Sequence, residues 1–542
     1  WASETFSPKL PVEDYRELVH GGSFLNMNCG VKGVGRKQGQ LDFNTPSGMV
    51  KVYQHEDGSA LLLGVLPPLG GGFSIFRTLH DEPHLEGAFG FEISFDFQRL
   101  VEPGETVAAS PILALSGGDG IALLTEYGRL WRQLGTRKLR TPQIGWNSWD
   151  YRAGAITRAD CDENLAEAGK LFGDALQVFC IDEGYEVQWG TWEPNNKFSE
   201  GLEDYCRHVK NAGCTPGIWT APLLVNTYNP LFYEKPEWFA SRADGQLQTD
   251  SYAYGPMAYL DTTRDDVLAY IRDVFIRMRE AGFEYYKVDF SHCALKPVKF
   301  ADPHVGRNDL IRRAFETIRE AIGPDAYLLG CGAPFESVYG SVDAVRSAGD
   351  IHIYWGHILR NAANIAARWW MQGNLWNCDP DFLIVRGPDT AEPPYFKRRM
   401  ISPMGPEGGW TAGREFNEME AQTYALLVHL SGGDVMLGDR LTLLNDKGTD
   451  MLRRVLQPRC PAADPVDMFE TEQDMPRIWI SRGDQDILVG LFNWTEKTAR
   501  LHFDPAAHGL QGIPTDFWTG EPIPSLPDRM RRRSSIALRY TL

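Results

Sequence analysis

Between Gln143 and Leu437 the sequence alternates short apolar runs with amphipathic stretches of helical period, eight times over. Few folds accept that rhythm, because strands joined through helical crossovers lie parallel in one sheet. The runs are Ile144–Trp149, Ala175–Asp182, Cys214–Pro222, Phe283–Ser291, Ala326–Gly332, Asp343–Asp350, Asn374–Asp381 and Gly433–Leu437. Helical patterns between them cover Ala159–Phe172, a stretch from Gly201 to a stop at Gly213, Thr263–Ala281, Arg307–Ile322, Trp355–Met371 and a segment with Tyr424, Leu427 and Leu430. In Thr263–Ala281 the apolar stripe is Val267, Ile271, Val274, Phe275 and Met278. Thr263 and Asp266 have capping-box-like spacing, and Gly282 supplies the stop. Eight such units predict a (β/α)8 barrel over 139–456.

Polar residues are not scattered through these runs. Trp149, Asp182, Glu183, Trp219, Asp289, Cys331, Arg346, Asp350 and Asp379 all fall at or near predicted strand C-termini, the face on which barrels build active sites. Phe283–Ser291 concentrates the pattern. Its Lys287 and Asp289 are two apart, so on a strand they point to the same side. Two readings are open there: a structural ion pair, or a carboxylate presented as a nucleophile beside a cation.

The flanks read differently. In 1–138, Met49–His55 and Ala60–Leu66 form a hairpin pattern around Glu56-Asp57-Gly58-Ser59, and Gly87–Asp96 largely alternates. A β-sandwich is expected there. The Gly-rich Leu69–Gly72 and Ser116–Gly120 segments are read as turns, without a following helix at phosphate-loop spacing. In 457–542, Arg477–Ser481, Asp486–Asn493 and Thr498–Phe503 predict a small second sandwich, with Asn493-Trp494-Thr495 fitting a glycosylation sequon. The long connection Leu223–Thr262 carries Tyr228, Trp238, Tyr252 and Tyr254, which favours an ordered, functional insert over disorder.

Composition removes several classes. A net charge of −18 argues against nucleic acid and anionic membrane surfaces as partners. Nine cysteines without a Cys-x-x-Cys give neither a disulfide framework nor a zinc site, and the twelve His show no ligand spacing. No apolar run is long enough to span a bilayer. The chain starts at Trp1 without a leader, compatible with a soluble cytoplasmic or exported protein. No phosphate loop, dinucleotide fingerprint or Ser/His/Asp order stands in a suitable context, so neither cofactor nor metal is expected. What remains is a mouth lined by carboxylates, Trp, one Lys and one Arg, the kit for glycoside hydrolysis. The rival is metal-assisted hydrolysis on Asp182, Glu183 and Asp289, for which His292 and His352 are the nearby His and form no ligand pair.

The strand tips also resemble a known family. Gly145-Trp-Asn-Ser-Trp149, Ile181-Asp-Glu-Gly-Tyr185, Pro216-Gly-Ile-Trp-Thr-Ala-Pro222, Tyr286-Lys-Val-Asp-Phe290, Leu329-Gly-Cys-Gly-Ala-Pro334, Arg346-Ser-Ala-Gly-Asp350 and Trp376-Asn-Cys-Asp-Pro-Asp381 are similar, in order, to motifs of the clan D retaining α-glycosidases, most of all the bacterial α-galactosidases of glycoside hydrolase family 36. The resemblance implies that Asp289 is the nucleophile and Asp350 the acid/base. It implies sugar contacts from Asp182, Glu183, Lys287 and Arg346, a pocket shaped by Trp149 and Trp219, and Cys331-Gly332 near the 2-position. Asp379 would orient a neighbour. The implied substrate is a terminal α-D-galactoside on an oligosaccharide or glycoconjugate. The family usually has Asp-Asp at the second strand, whereas this chain has Asp182-Glu183, which bears on the 6-position. β-L-Arabinopyranosidase, α-N-acetylgalactosaminidase and transglycosidase activities are the alternatives, with a non-catalytic sugar-binding protein behind them. The oligomeric state is not legible.

Overall fold

The computed structural model describes residues 2–22, 28–35, 45–80, 85, 87–135, 137–252, 255–393, 414–456, 458–470 and 475–542. Tyr254 lies outside the described residues.

Eight parallel strands form one sheet: Ile144–Asn147, Val178–Ile181, Thr215–Thr220, Tyr285–Val288, Tyr327–Gly330, Ala344–Arg346, Asn377–Asp379 and Val435–Leu437. From the first to the seventh, each pairs with the next in sequence, and the eighth pairs with the first, with Val435 opposite Ile144. Between the seventh and eighth, Asp434 donates its N–H to the Cys378 carbonyl at 2.9 Å, and Leu383 bridges Leu437. The sheet is a nearly closed (β/α)8 barrel, as the sequence rhythm predicts. Tyr285 and Tyr327 stack across neighbouring strands with ring centroids 5.4 Å apart, and Trp146 stacks on Phe179 at 4.4 Å.

At the tips of the first and fourth strands, side chains take backbone N–H groups out of the ladder. Asn147 Oδ1 accepts from the Trp149 N–H at 2.8 Å, and Asp289 Oδ1 accepts from the Phe290 N–H at 2.7 Å. Phe290 is thereby turned into a left-handed conformation, φ 56°.

The helix after the long connection runs Asp265–Ala281, and its buried residues are the five of the predicted stripe. Gly282 ends it at φ 110°. The Thr263/Asp266 capping box does not form. Thr263 turns its hydroxyl to Asp261 at 2.6 Å, while Asp266 pairs with Arg264, the residue at the cap position. The long connection is ordered as a three-stranded antiparallel sheet of Leu224–Asn226, Gly255–Tyr259 and Thr249–Tyr252.

The N-terminal flank holds two antiparallel sheets, one of three strands and one of five. A helix, Gly120–Leu134, follows the Gly-rich Ser116–Gly120 turn, contrary to the all-β reading of this flank. Its signal is the apolar spacing Leu123, Leu124, Tyr127 and Trp131, capped by Asp119, which accepts from the Ala122 N–H. Tyr127 donates to the Val65 carbonyl at 2.6 Å and packs against Trp370 of the barrel at 4.9 Å. The C-terminal flank is a five-stranded antiparallel sheet plus a two-stranded one, and the predicted strand Thr498–Phe503 shrinks to Ala499–Arg500. One contiguous buried apolar cluster runs from Leu18 and Val52 through the barrel to Phe492, Trp494 and Ala537.

Candidate active site

The tip of the fourth strand carries Asp289, half-buried. Its N–H donates to the Thr220 carbonyl at 2.8 Å, tying it to the third strand. Trp219 Nε1 donates to Oδ2 at 3.2 Å while the Phe290 N–H holds Oδ1, so both oxygens are aimed. Gly332, at φ +65°, passes so close that a Cβ there would sit 3.0 Å from Asp289 Oδ1. Only glycine gives both that backbone conformation and that clearance. Cys331 beside it is buried, with its N–H on the Val288 carbonyl at 2.7 Å.

Lys287 does not pair with Asp289. Its ammonium meets Asp182 Oδ2 at 2.7 Å, with both side chains buried. The structural ion pair open in the sequence is therefore formed with a different partner. Burial works against the Lys287 charge, but the Asp182 carboxylate outweighs it and pushes the Lys287 pKa up. Asp182 also accepts from Asn147 Nδ2 at 2.8 Å, and its backbone N–H donates to Ser148 Oγ at 2.9 Å. The neighbouring Glu183 is buried, and its Oε1 accepts from Trp189 Nε1 at 3.1 Å. Trp189 packs in turn against Trp219 at 5.4 Å and Phe290 at 5.2 Å.

Beyond the sixth strand, Asp350 is 48% exposed and accepts from Arg346 Nη1 at 3.2 Å. The same guanidinium, 1% exposed, pairs with Asp379 through Nε at 2.9 Å and with Asp381 through Nη2 at 2.9 Å. Asp379 thus holds Arg346. Phe382 lies under both cations, 5.1 Å from the Lys287 ammonium and 5.6 Å from Arg346. Trp149 is half-buried and opens a short helix at the tip of the first strand.

Asp289, Trp219 and Gly332 make one cluster; Asp182, Lys287 and Asn147 make a second; Arg346, Asp350, Asp379 and Asp381 make a third. Sequence reasoning assigned no role to Trp189, Phe382, Asn147 or Asp381. Asn147 and Asp381 lie inside the quoted tip motifs. Trp189 lies in a loop with no periodic signal.

Among the described residues, no group of three or more His, Cys, Asp or Glu is arranged to hold an ion. Asp182 is committed to Lys287, and His352 Nδ1 lies 3.0 Å from Asp150 Oδ1. His292 has its Nδ1 3.1 Å from the Gly332 carbonyl, and burial lowers its pKa. Among the described residues no helix is long and apolar enough to cross a membrane.

The molecule is thus a nearly closed (β/α)8 barrel flanked by antiparallel sheets, with carboxylates at and just beyond the tips of its fourth and sixth strands. Comparison with known proteins gives the relatives. Residues 149–308 match the family model described as Melibiase. Over 265 residues the chain is 26% identical to α-galactosidase C of Emericella nidulans, covering 43% of this chain and 33% of that protein. The match thus spans about a third of the length of that curated relative. Among solved structures, the fold superposes on TtGalA, an α-galactosidase from Thermus thermophilus in complex with p-nitrophenyl α-D-galactopyranoside. The TM-score is 0.64 at 21% identity, covering 85% of this chain and 89% of that one. It also superposes on Abp, a family 27 β-L-arabinopyranosidase from Geobacillus stearothermophilus, with TM-score 0.55 at 16% identity, covering 76% of this chain and 97% of that one.

Proposed function

We propose that this protein is a retaining, exo-acting glycoside hydrolase that releases terminal α-D-galactose from an oligosaccharide or glycoconjugate. The observation that carries the reading is the setting of Asp289: a half-buried carboxylate at a strand tip, aimed through both oxygens, while the adjacent lysine is held by Asp182. In the first step Asp289 attacks the anomeric carbon as Asp350 gives a proton to the departing oxygen. A covalent glycosyl-enzyme forms. In the second step Asp350 takes a proton from water, which attacks the same carbon and frees Asp289 with net retention. Asp350, more exposed than the rest of its cluster, is suited to meeting both leaving group and water. Asp182, Glu183, Lys287 and Arg346 bind hydroxyls, Trp149 and Trp219 wall the ring, and Cys331-Gly332 line the side next to Asp289.

A second sugar has support of its own. Glu183 is one methylene longer than the aspartate usual in the α-galactosidases it resembles, and Trp189 fixes its carboxylate. If the extra reach fills the space of a 6-hydroxymethyl group, β-L-arabinopyranose fits in place of galactose.

The mechanism is tested by trapping with a fluorinated galactosyl fluoride, proteolysis and mass spectrometry. The label is expected on Asp289, and label on another carboxylate overturns the assignment. Asp350→Ala is expected to spare activated aryl substrates and to recover with azide, giving a retained glycosyl azide from the face opposite Asp289's ester.

A further inference from the structure

Asp381 sits behind the sixth-strand tip and has no part in the mechanism above. It is fully buried, yet it is a non-glycine residue in the left-handed region at φ 74°. Such a conformation persists only where the surroundings enforce it. Three contacts do so. Its N–H donates to Asp379 Oδ1 at 2.9 Å, its Oδ1 meets Arg346 Nη2 at 2.9 Å, and its Oδ2 accepts from the Ile351 N–H at 2.5 Å. Ile351 directly follows Asp350. Asp381 is thus joined to Asp350 twice, once through the backbone and once through a shared guanidinium.

The charges around that guanidinium do not balance. One Arg346 serves three carboxylates: Asp350, Asp379 and Asp381. Arg360 faces Asp350 and Asp381 from the helix Trp355–Arg368, and Tyr424 faces Asp381 from the helix Glu418–Ser431. The buried Cys331 thiol faces Asp350 from the fifth strand. We propose that Asp381 is a positioning residue that competes with Asp350 for Arg346 and so keeps Asp350 protonated at higher pH than Arg346 alone would allow. Burial first, then its two carboxylate neighbours, raise the Asp381 pKa against the pull of Arg346. Wherever Asp381 is ionised, its charge opposes ionisation of Asp350.

The sign follows. Neutralising Asp381 removes a negative neighbour and leaves more of Arg346 to Asp350. Both changes favour the Asp350 carboxylate, so the proton needed for the first step is lost at lower pH. The proposal rests on Asp350 being the acid/base, and the experiment separates the two. kcat/KM is measured against pH with phenyl α-galactoside, a poor leaving group, for wild type, Asp350→Ala, Asp381→Asn and Asp381→Glu. Loss of the basic limb in Asp350→Ala assigns that limb to Asp350; a surviving limb overturns the acid/base reading itself. With the limb assigned, Asp381→Asn is expected to move it down by about one to two pH units, roughly a 10- to 100-fold fall at fixed pH above it. Asp381→Glu, which keeps the charge, is expected to leave it near the wild-type position. A limb that stays in place in Asp381→Asn, with kcat/KM lowered equally at every pH, overturns the inference and leaves Asp381 a structural group. If Asp381→Asn does not accumulate as folded protein, Asp381→Ser, a smaller neutral side chain, carries the same two outcomes.

Discussion

Lys287→Met isolates the energetics of the buried ion pair at the base of the site. The ammonium and Asp182 stand 2.7 Å apart. At an effective dielectric constant of 20 that separation corresponds to an attraction of about 6 kcal/mol. Desolvation of two buried ions offsets much of it, so the pair's net worth is far smaller. Deleting one member is another matter. Methionine fills the lysine's space but leaves the Asp182 carboxylate buried with the Asn147 amide and the Glu183 N–H for company. A stranded buried charge of this kind costs about 3–5 kcal/mol. In the variant, a buried carboxyl that has lost its cation favours its neutral form. A raised carboxyl pKa means that the relative deficit is small at acid pH and grows as pH rises through neutrality. The assay is urea unfolding of wild type, Lys287→Met, Asp182→Asn and the double variant, each at pH 5 and pH 8. The double variant is expected to lose well under the sum of the single losses, and the Lys287→Met deficit to be larger at pH 8. A deficit below about 1 kcal/mol at pH 8, or strict additivity, refutes the argument that the pair is desolvated and mutually dependent.

Other expectations follow from single contacts. Glu183→Asp withdraws the carboxylate from the Trp189 indole and opens one methylene of space, so the kcat/KM ratio of aryl α-D-galactoside to aryl β-L-arabinopyranoside is expected to shift about 10- to 200-fold. An unchanged ratio removes Glu183 from control of the 6-position. Asn493, in the sequon, is buried and spends its amide on the Lys497 and Arg531 carbonyls, both at 2.8 Å. Intact-mass measurement after secretion from a glycosylating host is expected to show no glycan there. Asn493→Ala is expected to cost about 1–3 kcal/mol, because those carbonyls lose their donor.

The barrel was legible because its signals are local. Each apolar run, each helical stripe and each glycine stop is written in a window of a dozen residues, as in Asp265–Ala281. The tip residues were legible because a polar side chain at the end of a buried run needs a reason. Partners were not. Lys287 and Asp289 are sequence neighbours, yet Lys287 reaches Asp182 on the second strand. In a barrel, alternate strands contribute to one layer of the interior, so the second and fourth strands meet across the axis. That proximity depends on curvature, which no window of sequence contains. The same holds for the Arg346 cluster, where Asp381 comes from the turn after the seventh strand. The helix Gly120–Leu134 failed for a simpler reason: its apolar spacing is plain, but its β-rich surroundings set the expectation for the whole flank.

The unbroken apolar cluster has a consequence for how such a chain can be divided. Gly128 lies so close to the Trp370 carbonyl that a Cβ there would stand 2.8 Å from it, and at Gly490 a Cβ would stand 2.3 Å from Leu430. These are seams between flank and barrel with no slack for solvent. A barrel excised at its apparent edges would carry two raw apolar faces into water, and each flank would carry the matching one. A recombination event, a protease or an engineer that separates flank from barrel removes supporting walls from the candidate site on the piece in the middle.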